Sequence, residues 1–293
     1  MKKLRNVFSF IISILLMFSL IITSLLILID KSLLNKNIYM NIVKENNIAE
    51  TVSETVLSRM QYVLLTNNIP QDIITEVITV EEVLEEKTNS MINLIDYLTG
   101  NTEKVKSFEP TIYADRVKEA INNYVNENNI VRTQELEELL VELDKYTNEL
   151  IAFEVEPINF EKITEIKKVA LLRNVTKIIC NKNILLGALI IDLILIGILI
   201  FMWKNRKYRG LAWAGYGFLS SGIILFMIGF SGYLSKFYSN IIIAAEGLKV
   251  EVAAIIEKNL INLSIYGGIL AAIGLILVSV YWKHLYIRFK KGR

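Results

Sequence analysis

Cysteine is all but absent from this chain of 293 residues, and because Cys180 stands alone no disulfide can form within it. No thiolate cluster of the zinc or iron–sulfur kind can be assembled either. Histidine is as rare: His284 is the only copy, it sits among basic residues, and it reads as an interfacial side chain without a partner for ligand or acid–base work. The three prolines, Pro70, Pro110 and Pro157, all fall in one polar stretch, so no proline kink interrupts the apolar parts of the chain. No nucleophile–base pair and no glycine-rich phosphate loop is present in the pattern of residues. The expectation is a protein that is not an enzyme and holds no cofactor and no metal.

Apolar residues are what the chain has in excess, at 53% with a mean hydropathy of +0.43, beyond the usual content of a soluble domain. They are concentrated in four runs, at residues 7–29, 184–203, 211–234 and 263–282. The first has 23 residues and no charge, enough to cross a hydrocarbon core of roughly 30 Å. It passes through Leu25, Leu26, Ile27 and Leu28 into Asp30 and Lys31 without a small-residue cleavage site, so it reads as an uncleaved anchor rather than a secretory signal.

Charge supplies an orientation. The segments 1–6, 204–210 and 283–293 carry three, four and five Lys or Arg and no acidic residue, and basic flanks are retained in the cytoplasm. Residues 30–183 carry 26 acidic against 17 basic residues, a net of nine negative charges, and belong outside. The loop 235–262 balances Glu246, Glu251 and Glu257 against Lys236, Lys249 and Lys258 and fits the outside as well. Trp203, Trp213 and Trp282 fall at the span ends already placed inside, where indole rings favour the interface. The basic segments hug the span ends and lack a reading module, so anionic lipid rather than nucleic acid is their expected neighbour.

The expected fold is therefore all-α: a four-helix transmembrane bundle with a large extracytoplasmic α-helical domain inserted between its first and second helices. Its parts are a cytoplasmic tail at 1–6, spans at 7–29, 184–203, 211–234 and 263–282, the outer domain at 30–183, a cytoplasmic loop at 204–210, an outer amphipathic loop at 235–262 and a basic cytoplasmic tail at 283–293.

Within the outer stretch the apolar spacing is helical. Thr79-Val80-Glu81-Glu82 has the form of a capping box opening a helix that stops at Gly100. Leu136, Leu139, Leu140, Leu143, Tyr146 and Leu150 form one stripe opposite a glutamate-rich face. Residues 48–65 and 113–125 are further helices, 126–129 a turn, and Asn159 a cap for a helix from Phe160. The first and last outer helices are expected to continue into the adjacent spans. The loop stripe of Ile241, Ala245, Leu248, Val252 and Ile255 is expected either to break at Gly247 or to lie at the interface, with contact to the outer domain preferred. Glu81, Glu82, Glu85 and Glu86 could suggest calcium, but no aspartate–glycine loop accompanies them and a solvated helix face is preferred.

Asp192 is the most informative residue inside a span, ninth in its twenty-residue run. A carboxyl there costs about 2.5–3.5 kcal/mol on insertion scales, so it must face protein or water. Two roles compete: an ion or proton site, or a hydrogen-bonded group that locks helices, and the second is preferred because only hydroxyls such as Ser19, Thr23, Ser220 and Ser221 accompany it. Small residues four apart, Gly217 with Ser221, Gly267 with Ala271 and Gly268 with Ala272, mark helix-packing faces of a compact bundle or a homo-oligomer.

A first span followed by an outer helical domain returning into a second span resembles, in topology over the first two-thirds, chemoreceptors and sensor kinases of bacteria. The likeness ends after Trp203. The helix end Asp96-Tyr97-Leu98-Thr99-Gly100 resembles uncharacterised four-span proteins of low-GC Gram-positive bacteria with a large first outer loop. Claudins share four spans, but their tryptophan–cysteine signature is missing here. These resemblances carry no catalytic residues across. The size of the outer domain, beside cytoplasmic segments too short for any output module, points to a non-catalytic envelope protein of the plasma membrane whose outer domain binds a protein, peptide or surface component, as sensor, adaptor or accessory subunit. The alternative is a small oligomeric transporter or channel built on Asp192.

Overall fold

The computed structural model describes residues 2–105, 108–156 and 166–291, and every regular element among them is helical. The α-helices are α1 (Lys2–Leu28), α2 (Lys36–Glu45), α3 (Ile48–Thr66), α4 (Val80–Thr99), α5 (Thr111–Glu127), α6 (Gln134–Val155), α7 (Lys167–Ile179), α8 (Lys182–Met202), α9 (Lys207–Ser235) and α10 (Glu246–Lys291). Four of them, α1, α8, α9 and α10, are long and apolar enough to cross a membrane, which is compatible with a multi-pass membrane protein. The expected cap at Asn159 lies outside the described residues.

Local chemistry sets the helix ends. Thr79 accepts from the Glu82 amide while Glu82 returns to the Thr79 amide, and Gly100 closes α4 in the left-handed region at φ 82°. Thr133 caps α6, and Asn35 and Asn181 cap α2 and α8 by accepting from amides two residues on. Those two asparagines have a consequence the sequence reading did not anticipate. α1 ends in a π-helical turn at Ile29–Leu33 before Asn35 starts α2, and α7 ends before Asn181 starts α8, so neither flanking helix continues unbroken into its neighbour. The unbroken helix is α10, which runs through Gly247 from Glu246 to Lys291.

The chain divides into two compact units. The first comprises Met1–Leu34, Val175–Phe237 and Ile256–Arg293. In it α1 packs on α8 and α9, and α8 on α9, around Leu16, Leu20, Leu199 and Ala214. A second cluster joins Leu28, Leu225 and Leu263. Its outward side chains are also large and apolar, for example Phe18, Leu193, Met227 and Ile276. Helices apolar on every face need an apolar surrounding, because water would charge about 25 cal/mol for each Å² left exposed.

The second unit comprises Asn35–Asn174 and Tyr238–Ile255. Its axis is α3, whose Ile48, Val52, Val56, Met60 and Leu64 recur every four residues and are buried. α5 supplies Tyr113, Val117, Ile121 and Val125 at the same interval, and α6 supplies Leu140, Leu143, Leu150, Ile151 and Val155. The first turns of α10 belong to this unit, with Val250, Ala254 and Ile255 packed on its core. A Cβ at Gly247 would strike the Cγ2 of Val52, so a larger residue there requires the Val52 side chain to shift. Of the stripe expected in this loop, Ile241 and Ala245 precede the helix, Leu248, Val252 and Ile255 lie on it, and Gly247 does not break it.

Candidate functional sites

Asp192 is turned into the first unit and is 5% exposed. Its Oδ2 accepts a hydrogen bond from Thr23 Oγ1 at 2.8 Å, tying α8 to α1, while Oδ1 is buried with no hydrogen-bond partner among the described residues. Of the hydroxyls at comparable depth, Thr23 is the one that reaches it. One strong bond to a buried carboxylate oxygen is worth about 1.5–3 kcal/mol, so the pair suits a helix lock. A carboxyl oxygen left over also leaves capacity for one more donor.

The small residues divide by face. A Cβ on Gly217 would come within 3.1 Å of the Ser13 carbonyl, so this glycine admits α1, and buried Ser221 returns its hydroxyl to the Phe218 carbonyl. Gly267 and Ala271 meet α9: a Cβ at Gly222 would strike the Ala271 amide, and one at Gly267 would strike the Phe226 amide. Gly268 has open space where its Cβ would be, and Ala272 is exposed, so this pair makes no close helix contact within the chain. The closest backbone approach uses an interval of seven rather than four. Gly215, Gly222 and Gly229 on α9 face Gly274, Gly267 and the Leu260 carbonyl on α10. A seven-residue repeat keeps one seam of each helix against the other.

In the second unit the core holds charges that the sequence reading did not single out. Lys87 on α4 and Glu251 on α10 pair at 3.2 Å, each side chain 3% exposed. Glu154 near the end of α6 is fully buried, 3.1 Å from Arg59 Nη1 on α3, yet neither of its oxygens is aligned for a hydrogen bond. Burial holds the Glu154 carboxyl above the usual range; Arg59 and Lys87 pull it down, and Glu246 pushes it further up. Burial and the nearby Glu251 push the Tyr39 hydroxyl to about 12. Glu156 accepts from Ser90 Oγ at 3.2 Å and from the Phe108 amide at 3.1 Å. Two ion pairs thereby tie four helices of this unit together, Arg59–Glu154 joining α3 to α6 and Lys87–Glu251 joining α4 to α10. Lys87, Glu154 and Glu251 are buried, whereas the Arg59 side chain is 42% exposed.

Charge in an apolar stripe was the available signal. Lys87 continues the series Val80, Val83, Leu84, and Glu154 continues Leu140, Leu143, Thr147, Leu150. Tyr146, expected on that stripe, is instead exposed and Thr147 takes its place. Two other expectations resolve in detail. Glu82 forms a two-point pair with Arg116 at 2.7 and 2.9 Å, which holds its carboxyl below the usual range, so the glutamate face of α4 is anchored through a cation of α5. Asp96 accepts from Lys36 Nζ at 2.7 Å, and the Tyr97 carbonyl accepts from Arg173 Nε at 3.0 Å, so the α4 end that suggested a family likeness is a junction of three segments.

No protein-family model, no curated protein and no solved structure matches this chain.

Proposed function

We propose that this chain is a non-catalytic, multi-pass protein of a bacterial plasma membrane, with α1, α8, α9 and the apolar stretch of α10 crossing the bilayer. Both termini are cytoplasmic, and residues 30–183 lie outside as an inserted helical domain. That outer domain binds a protein, peptide or surface component and acts as sensor, adaptor or accessory subunit. The observation that carries this reading is the buried Lys87–Glu251 pair: Glu251 stands on α10, the helix that further along contains the fourth apolar run. A partner that shifts α4 acts on this pair, and a buried ion pair responds to small displacements because its Coulomb energy is large where the dielectric is low.

The test is site-specific photo-crosslinking in living cells, with the reactive residue at Tyr62, Val131 or Val141 on the exposed surface of the polar unit. A defined adduct from at least one position, absent from a control position on the cytoplasmic loop such as Lys204, supports the reading. No adduct from any of them counts against it. The second reading, an oligomeric transporter or channel, draws on the unpartnered Oδ1 of Asp192. Ion flux into reconstituted vesicles that Asp192→Asn abolishes, with the protein still assembled, would replace the first reading by the second.

A further inference from the structure

A cavity of about 360 Å³ opens in the first unit between the start of α1, the end of α8, the start of α9 and the later part of α10. Its lining includes Asn6, Trp203, Arg209, Trp213, Tyr216 and Tyr281. Trp203, expected at a span end where indoles favour the interface, is 1% exposed and donates from Nε1 to Ser9 Oγ at 2.9 Å. The Arg5 guanidinium stacks over its ring at 3.8 Å and that of Arg209 stands 5.3 Å away, so the buried indole is a platform that holds two cations in place. Arg5 has an acceptor for one of its nitrogens, the Met202 carbonyl at 3.4 Å. Arg209 has none among the described residues, and its Nε is buried.

An arginine fixed in a cavity wall with its donors uncommitted is incomplete without an anion. No acidic side chain of segments 1–6, 204–210 or 283–293 can supply it, because these segments contain none. The volume is far larger than the ~30 Å³ share of one water and suits a phosphate with a glycerol-sized group attached. Hydroxyl and amide groups of Tyr216, Tyr281 and Asn6 can bond such a group, and the indole and phenol rings suit the carbon skeleton behind it.

We infer that this cavity binds the phosphate-bearing headgroup of a single anionic phospholipid, with Arg209 as the ligand to the phosphate. The inference rests on the membrane reading given above but not on its orientation, since a headgroup site works in either leaflet.

The test uses the full chain in nanodiscs of phosphatidylcholine, titrated with short-chain phosphatidylglycerol and followed by tryptophan fluorescence in a Trp282→Phe background, which leaves Trp203 and Trp213 as reporters. Saturable binding is expected, weakened about tenfold or more by Arg209→Gln and changed less than about twofold by Arg206→Gln, which removes the same charge from an exposed position. Equal binding by the Arg209→Gln chain, or equal weakening by both variants, overturns the site. Inorganic phosphate is the second arm: if it competes at the same concentrations as the lipid, the cavity is a free-phosphate site and the lipid assignment is wrong. A third arm needs no variant, so it survives failure of Arg209→Gln to fold. Short-chain phosphatidylcholine titrated into the unsubstituted chain must bind at least about tenfold more weakly than phosphatidylglycerol, and equal binding of the two overturns the inference.

Discussion

Glu154 is where residue-level physics makes the sharpest statement. Its carboxyl is raised in the folded chain, so between the ordinary value of 4.5 and the raised one the folded state binds more protons than the unfolded state. The stability it contributes is fully present below that ordinary value and is lost as pH rises through the raised one. The charged groups around it, Arg59 from α3, Lys87 from α4 and Glu246 from α10, set the size of this window but do not reverse its sign. Thermal unfolding followed by circular dichroism should therefore show a higher midpoint near pH 5 than near pH 7, and Glu154→Gln should remove most of that difference by raising the neutral-pH midpoint. Glu82 and Asp96 act the other way: both carboxyls are held low by Arg116 and Lys36, so their stabilisation disappears only at lower pH, as they protonate. Lys87 is the complementary case. Lys87→Met leaves Glu251 buried without a cation and should cost about 3–5 kcal/mol in chemical denaturation, whereas Lys87→Met combined with Glu251→Leu should recover most of it.

Among elements, the α9–α10 seam is the one whose sequence signal and structural reason differ most. Pairs of small residues four apart drew attention to Gly267 and Ala271, which do meet α9, and equally to Gly268 and Ala272, which do not. The seven-residue recurrence of Gly215, Gly222 and Gly229 is equally visible in the sequence, but choosing it requires knowing that α10 is the partner and runs unbroken for 46 residues. Gly222→Ala should separate the two helices, because its Cβ meets backbone that cannot swing away, and should lower the unfolding midpoint. Gly268→Ala meets nothing and gains helix propensity of about 1 kcal/mol, so it should be neutral or stabilising. The capping box at Thr79 and the stop at Gly100 were legible because both depend on residues within a single turn. The pairing of Lys87 with Glu251 and of Arg59 with Glu154 was not, since each joins residues about a hundred or more positions apart, even though Lys87 and Glu154 stand in apolar stripes.

At the scale of the molecule, hydropathy and charge order do most of the work. Four helices of sufficient length and apolarity follow from composition alone, and the all-helical content follows from the interval of apolar residues between them. The sequence reading preferred contact between the 235–262 loop and the outer stretch, and Tyr238–Ile255 folds with Asn35–Asn174, so that the polar unit is built from two separate stretches of chain; the linear pattern did not convey that the part from Glu246 onward is the start of one long helix. The proposed role depends on that arrangement being outside the cell. The decisive measurement is accessibility to a membrane-impermeant maleimide in a Cys180→Ser background, comparing cysteine at Glu127, exposed at the end of α5, with cysteine at Lys204, exposed between α8 and α9. The Glu127→Cys chain is expected to be labelled on intact cells and the Lys204→Cys chain only after permeabilisation. Labelling in the opposite order, or of both on intact cells, would contradict the proposed topology.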